Sequence, residues 1–131
     1  MKRPASITAI AICQGIVGAL TILWVLFGPA FASGFPAWFA NWSLAVGLVH
    51  VISAIALFRL SWFGPISFLL AWIASQVVGH VFVPVGARPT MAGVVVSVAI
   101  LVGYCFAVLS NRGSLSPNNS FKPTAGVGPN Q

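Results

Sequence analysis

The sequence predicts an all-α, polytopic membrane protein: four transmembrane helices in an antiparallel bundle, followed by a disordered tail. Three observations carry that prediction. Of 131 residues, 59% are hydrophobic and only 5% are charged, against about 25% charged in an ordinary soluble domain. The mean hydropathy is +1.02. Six Lys and Arg stand against no Asp or Glu, and six cations without anions cannot clothe a water-facing surface. Disordered chains lack the aliphatic residues that dominate here. The composition therefore leaves an integral membrane protein.

The spans follow in order. The first runs from about Ala5 to Phe27, behind Lys2 and Arg3. Gly28-Pro29 closes it, because proline lacks the N–H and its ring clashes with the preceding turn. The second runs from about Trp42 to Phe58 and is closed by Arg59. The third, from about Pro65 to Val83, takes its proline in the first turn, where the missing donor is tolerated. Pro84 and Pro89 bracket the link to the fourth, from about Met91 to Leu109, before Arg112. Stretches of about 17 to 23 residues make roughly 25–35 Å of helix, matching the ~30 Å hydrocarbon core. In lipid the backbone must satisfy itself, so spans of this length without alternation are helices. Residues 1–109 form the transmembrane domain on this reading, and residues 110–131 form a disordered cytoplasmic tail rich in Ser, Asn, Pro and Gly.

Orientation comes from the cations. Lys2, Arg3, Arg59, Arg112 and Lys122 fall on one side and Arg88 alone on the other. The positive-inside rule then places both termini in the cytoplasm, with the chain in the inner (plasma) membrane. The scattered cations suit lipid headgroups and not nucleic acid. Arg59 and Arg88 read as snorkelling topology anchors. The opposite loop, residues 28 to 41, is uncharged and carries Phe31, Phe35, Trp38 and Phe39. With Trp24 and Trp42 it reads as an aromatic belt at the outer interface. A competing reading is a signal peptide cleaved after Ala30-Phe31-Ala32. Against it, the apolar run is longer than the ~7–15 residues of a secretory h-region.

The missing acids exclude whole classes of function. Cation-coupled transport uses an intramembrane carboxylate, calcium and magnesium sites need oxygen anions, and paired-carboxylate acid–base chemistry needs both partners. The chain has no nucleophile–base pair, Gly-rich phosphate loop or Cys/His ligand cluster, so it reads as non-enzymatic and without a cofactor or metal. Cys13 and Cys105 lie in apolar segments, where cysteine behaves as a small hydrophobe.

Helices in lipid are held by close packing at small residues. The third span has the longest such ladder, Ser67, Ala71, Ser75 and Gly79. The first offers Ala11, Gly15 and Ala19, and the fourth Ala99, Gly103 and Ala107. These stripes favour a compact bundle acting through contacts with itself or with another membrane protein. Its partners are then the bilayer and a second membrane helix.

Intramembrane polar residues are the functional candidates. At a ~1.5 Å rise per residue, Gln14 lies about 14 Å from the cytoplasmic boundary, His50 about 12 Å, Gln76 about 17 Å and His80 about 22 Å. Gln14, His50 and Gln76 thus share a depth, and Gln76 and His80 share a face. One reading is hydrogen bonding across helix interfaces, worth about 0.6–2 kcal/mol each. A second is haem ligation by His50 and His80, against which the depth offset of about 10 Å counts. A third is a passive conduit or small-molecule cleft lined by Gln14, His50, Gln76 and Ser97, selective through neutral hydrogen-bonding groups. Trp72 reads as packing or lipid contact.

The N-terminal pattern Lys2-Arg3-Pro4, then Ser6-Ile7-Thr8-Ala9-Ile10-Ala11, resembles the start of small four-helix bacterial inner-membrane proteins that are themselves uncharacterised. The resemblance covers about the first thirty residues and the layout of spans; it implies a location and a fold class and carries no catalytic motif. In size the chain is also similar to small four-helix multidrug transporters. That family depends on a Glu in its first helix, which this chain lacks. Ser116 to Thr124 resembles a short ending shared by otherwise unrelated small bacterial proteins, which implies a dispensable tail.

Overall fold

The computed structural model describes residues 3–27, 37–83, 88 and 90–115. The described chain is helical throughout: α1 (Ala5–Phe27), α2 (Ala37–Phe58), α3 (Phe63–Val81) and α4 (Met91–Ser110), with a short 3-10 turn at Arg112–Ser114. All four helices are long and apolar enough to cross a membrane. They turn much of that apolar surface outward, up to 83% exposure at Phe27 and 81% at Met91.

The helix ends have local causes. α2 begins at Ala37, more than a turn before Trp42, so Trp38 and Phe39 are helical and not part of a loop. The stretch from Ala37 to Asn41 contains no Gly or Pro to interrupt the helix. Trp38 sets its ring edge against Phe39 at 5.8 Å and Phe82 at 6.3 Å. Phe31, Phe35 and the cleavage-like Ala30-Phe31-Ala32 lie outside the described residues. α4 starts on Thr90, whose hydroxyl accepts from the Gly93 N–H at 3.2 Å, satisfying one of the orphan donors of the first turn.

Between α2 and α3 the chain turns in a few residues. Ser61 N–H reaches back to the Ala56 carbonyl at 3.0 Å and Leu60 N–H to that of Leu57 at 2.9 Å. This is the paired-bond ending that places the residue after the cap in the left-handed region. Here that residue is Leu60, at φ 56°, where a Cβ costs about 1–2 kcal/mol. The tight turn seats Gly64 on α2, where an added Cβ would lie 2.7 Å from Leu57 N and from Ser53 O. Ser53 and Ser67 meet at 2.6 Å. Ser67 Oγ also lies 2.7 Å from the Phe63 carbonyl of its own helix, and either hydroxyl can be the donor between the two serines.

The core gathers at one end, where Ile7, Ala11 and Leu57 meet Tyr104, Val108 and Leu115. Asn111 Nδ2 donates to Ser6 Oγ at 3.1 Å, tying the start of α1 to the end of α4. This corrects the expected start of the disordered tail. Residues 110–115 are part of the fold, because Leu115 is 7% exposed and packs with that cluster. Burying a leucine outweighs the turn-forming character of Asn111, Gly113 and Ser114. Residues 116–131 lie outside the described residues.

Candidate functional site

One face of α1 and one face of α4 enclose a cavity of about 650 Å³. α1 contributes Ile10, Cys13, Gln14 and Val17, residues at the three- and four-residue spacing that stacks side chains on one face. α4 contributes Ser97, Ile100, Gly103 and Tyr104 at the same spacing. Phe68 and Trp72, one turn apart on α3, and His50 from α2 complete the wall. The cleft exists because α4 buries only Tyr104 and Val108. A Cβ added at Gly103 would meet nothing within 4 Å.

The polar groups of this cleft are its most informative feature. Gln14 is 6% exposed, and among the described residues neither its amide oxygen nor its amide nitrogen has a hydrogen-bond partner. Tyr104 is 9% exposed and its hydroxyl is likewise unpartnered. Buried groups of this kind are normally satisfied, and an orphan costs about 1–3 kcal/mol. His50 is held differently. Its Nδ1 lies 2.8 Å from the Val46 carbonyl, which can only accept, so Nδ1 carries the proton. Nε2 of the neutral ring is then a lone-pair acceptor. The His50 ring sits edge-on to Phe68 at 5.3 Å, and Phe68 stacks on Tyr104 at 4.3 Å, tilted by 33°. Ser97 spends its hydroxyl on its own helix, donating to Val94 O at 2.9 Å. Among the described residues no Lys or Arg side chain lines the cavity.

The arrangement sorts the residues expected from sequence. Gln14, His50 and Ser97 come together on the cleft; Gln76 does not line it, and His80 is exposed. His80 Nδ1 donates to the Gln76 carbonyl one turn back at 2.8 Å. The structure therefore does not bring His50 and His80 to one site. Among the described residues no three His or Cys side chains are grouped to hold a metal. Tyr104 is the residue that sequence reading missed, although a lone tyrosine late in an otherwise polar-poor span was a readable signal. Trp72, expected to pack in the bundle or to meet lipid, lines the cleft.

The small-residue ladders separate as well. That of α1 faces α2: Ala11 is buried, and a Cβ on Gly15 would lie 3.6 Å from the Ala54 Cβ, an ordinary contact. Ala19 is exposed, and the tight crossing falls at Gly18 instead. A shallow groove of about 530 Å³ runs along this pair, with Arg3 and Arg59 at one end. The Arg3 guanidinium lies 4.2 Å from the centroid of the Phe58 ring. On α3, Ser67 meets α2, Ser75 bonds the Ala71 carbonyl of its own helix at 2.8 Å, and Gly79 is half-buried. On α4, Ala99 and Gly103 are exposed, and Ala107 is half-buried beside the cleft.

Comparison with protein-family models, with curated proteins and with solved structures finds no match.

Proposed function

We propose that this chain is a four-pass inner-membrane protein, its helices crossing in alternating directions with both termini cytoplasmic. Its α1–α4 cleft receives a small lipophilic molecule without transforming it. The lengths and hydropathy of the helices and the outward apolar side chains support the crossings, since exposed apolar patches on this scale need a lipid or protein neighbour. The one-sided cations support the orientation.

The orphaned amide of Gln14 carries the binding reading. A primary amide in a dry, apolar wall is stabilised only when something brings it a donor and an acceptor. The cleft has the shape and the apolar lining with few polar groups that ligand pockets have.

Photolabelling in native membranes with a small hydrophobic aryl diazirine tests the reading. Saturable labelling concentrated on cleft residues such as Val17 and Trp72 is the expected result. Labelling spread evenly over outward residues such as Leu70 and Val95 would overturn it.

A second reading rests on the open face of Ala99 and Gly103. There a helix from another copy, or from another membrane protein, fills the cleft. On that reading Gly103→Cys forms a disulfide-linked dimer on mild oxidation in the membrane; on the ligand reading it stays monomeric.

A further inference from the structure

We infer that the molecule held in the α1–α4 cleft is a neutral lipid whose head is a hydroxyl group: a long-chain or isoprenoid alcohol, a phenol, or a glyceride with a free hydroxyl. This rests on the ligand reading of the cleft and narrows it from the hydrogen-bonding capacity left unused on its wall.

Gln14 offers two N–H donors and a carbonyl acceptor, none of them engaged. The Tyr104 hydroxyl, also unengaged, both donates and accepts. His50 adds an acceptor at Nε2, because its Nδ1 proton is committed to the Val46 carbonyl. The wall thus asks for a donor and an acceptor together. A ketone, ester or ether supplies acceptors only: it would pair the Gln14 amide nitrogen and the Tyr104 hydroxyl but leave the Gln14 oxygen without a donor. A hydroxyl supplies both in one compact group.

Charge narrows the class further. Among the described residues no Lys or Arg lines the wall to meet an anionic head, and the chain has no Asp or Glu side chain to receive a cationic one; a buried unpaired charge is far costlier than an unpaired dipole. The aromatic wall does not form a cage for a cation either, since Phe68 and Tyr104 turn faces toward each other at 4.3 Å. The rest of the wall is apolar: Ile10, Val17, Ile100 and the ring of Trp72 suit a hydrocarbon body. The open side at Gly103 lets the tail pass out between α1 and α4.

The experiment uses the purified full chain in detergent micelles and a diazirine-bearing hexadecanol as photoprobe. Competitors are unlabelled hexadecanol, its methyl ether and palmitate. The alcohol is expected to compete about tenfold better than the ether, the value of one added hydrogen bond at a buried site. Tyr104→Phe, which keeps the ring, and Gln14→Leu should each shrink that preference while labelling of the cleft persists. If Gln14→Leu fails to fold, Tyr104→Phe decides alone. Equal competition by alcohol and ether, or stronger competition by palmitate, overturns the hydroxyl assignment and leaves the cleft reading standing. Absence of any label on α1 and α4 cleft residues overturns both.

Discussion

Gly18 and Gly47 meet so closely that a Cβ on Gly18 would lie 2.8 Å from the Gly47 carbonyl oxygen. It would also come within 2.9 Å of the His50 Cβ and a Val51 methyl. No side-chain rotation relieves a clash with a carbonyl, so the backbones of α1 and α2 must part. Gly18→Ala should lower the stability of the purified protein by about 1–3 kcal/mol, the usual cost of overpacking. Gly103→Ala, whose new methyl meets nothing within 4 Å, should change it by less than about 0.5 kcal/mol. Unfolding of both variants by sodium dodecyl sulfate in mixed micelles measures the contrast. Equal losses would mean that the close approach of α1 and α2 is not where the bundle is held.

The Ser53–Ser67 pair links α2 to α3 through side chains alone. A double-mutant cycle of Ser53→Ala and Ser67→Ala should return a coupling near ~0.6 kcal/mol and no more than about 1.7 kcal/mol, as for other hydrogen bonds between membrane helices. A coupling of zero would show that each serine serves only its own helix.

Gln14 has an unusual predicted sign. Replacing a buried amide that lacks partners with leucine removes a desolvation penalty, so Gln14→Leu should stabilise the ligand-free protein by about 1–3 kcal/mol. The same change should shrink the preference for a hydroxyl-bearing lipid. Destabilisation, read from the same unfolding curve, would point instead to a helix–helix hydrogen bond at Gln14.

Leu115 lies beyond α4 yet packs with Ile7, Leu57 and Val108. Leu115→Ala should cost about 2–5 kcal/mol, the range for large-to-small changes in a core. A truncation that keeps Leu115 and ends just after it should unfold like the full chain. If Leu115→Ala also unfolds like the full chain, the segment after α4 is not part of the stabilising core.

The legible part of the molecule was that written in composition and local pattern. Helix α1 was readable to its ends because Lys2-Arg3-Pro4 and Gly28-Pro29 flank an unbroken apolar run. The start of α2 was not, because Trp38 and Phe39 suit an interfacial loop and a helix end equally. Depth along the membrane normal was estimated from residue counting and grouped Gln14 with His50, both of which line the cleft. It also grouped Gln76, because equal depth says nothing about which way a side chain points. The small-residue ladders show the same limit: four-residue spacing led to Gly15 and Ala19, whereas the crossing of α1 over α2 shifts the close contact to Gly18.

By itself, the sequence determined that the described elements are helices, that the four long ones are apolar throughout, and that the cations are unevenly divided between the links. Those properties are sums over neighbouring residues and need no partner to exist. Only the tertiary structure decided how each helix is rotated about its own axis. In a soluble bundle the boundary between apolar and polar faces encodes that rotation; here nearly every face is apolar, so the code is blank. Rotation is left to close backbone fits such as Gly18 on Gly47 and to hydrogen bonds such as Ser53 to Ser67. Those contacts turn Gln14, His50 and Tyr104 toward one cleft and leave His80 outside it.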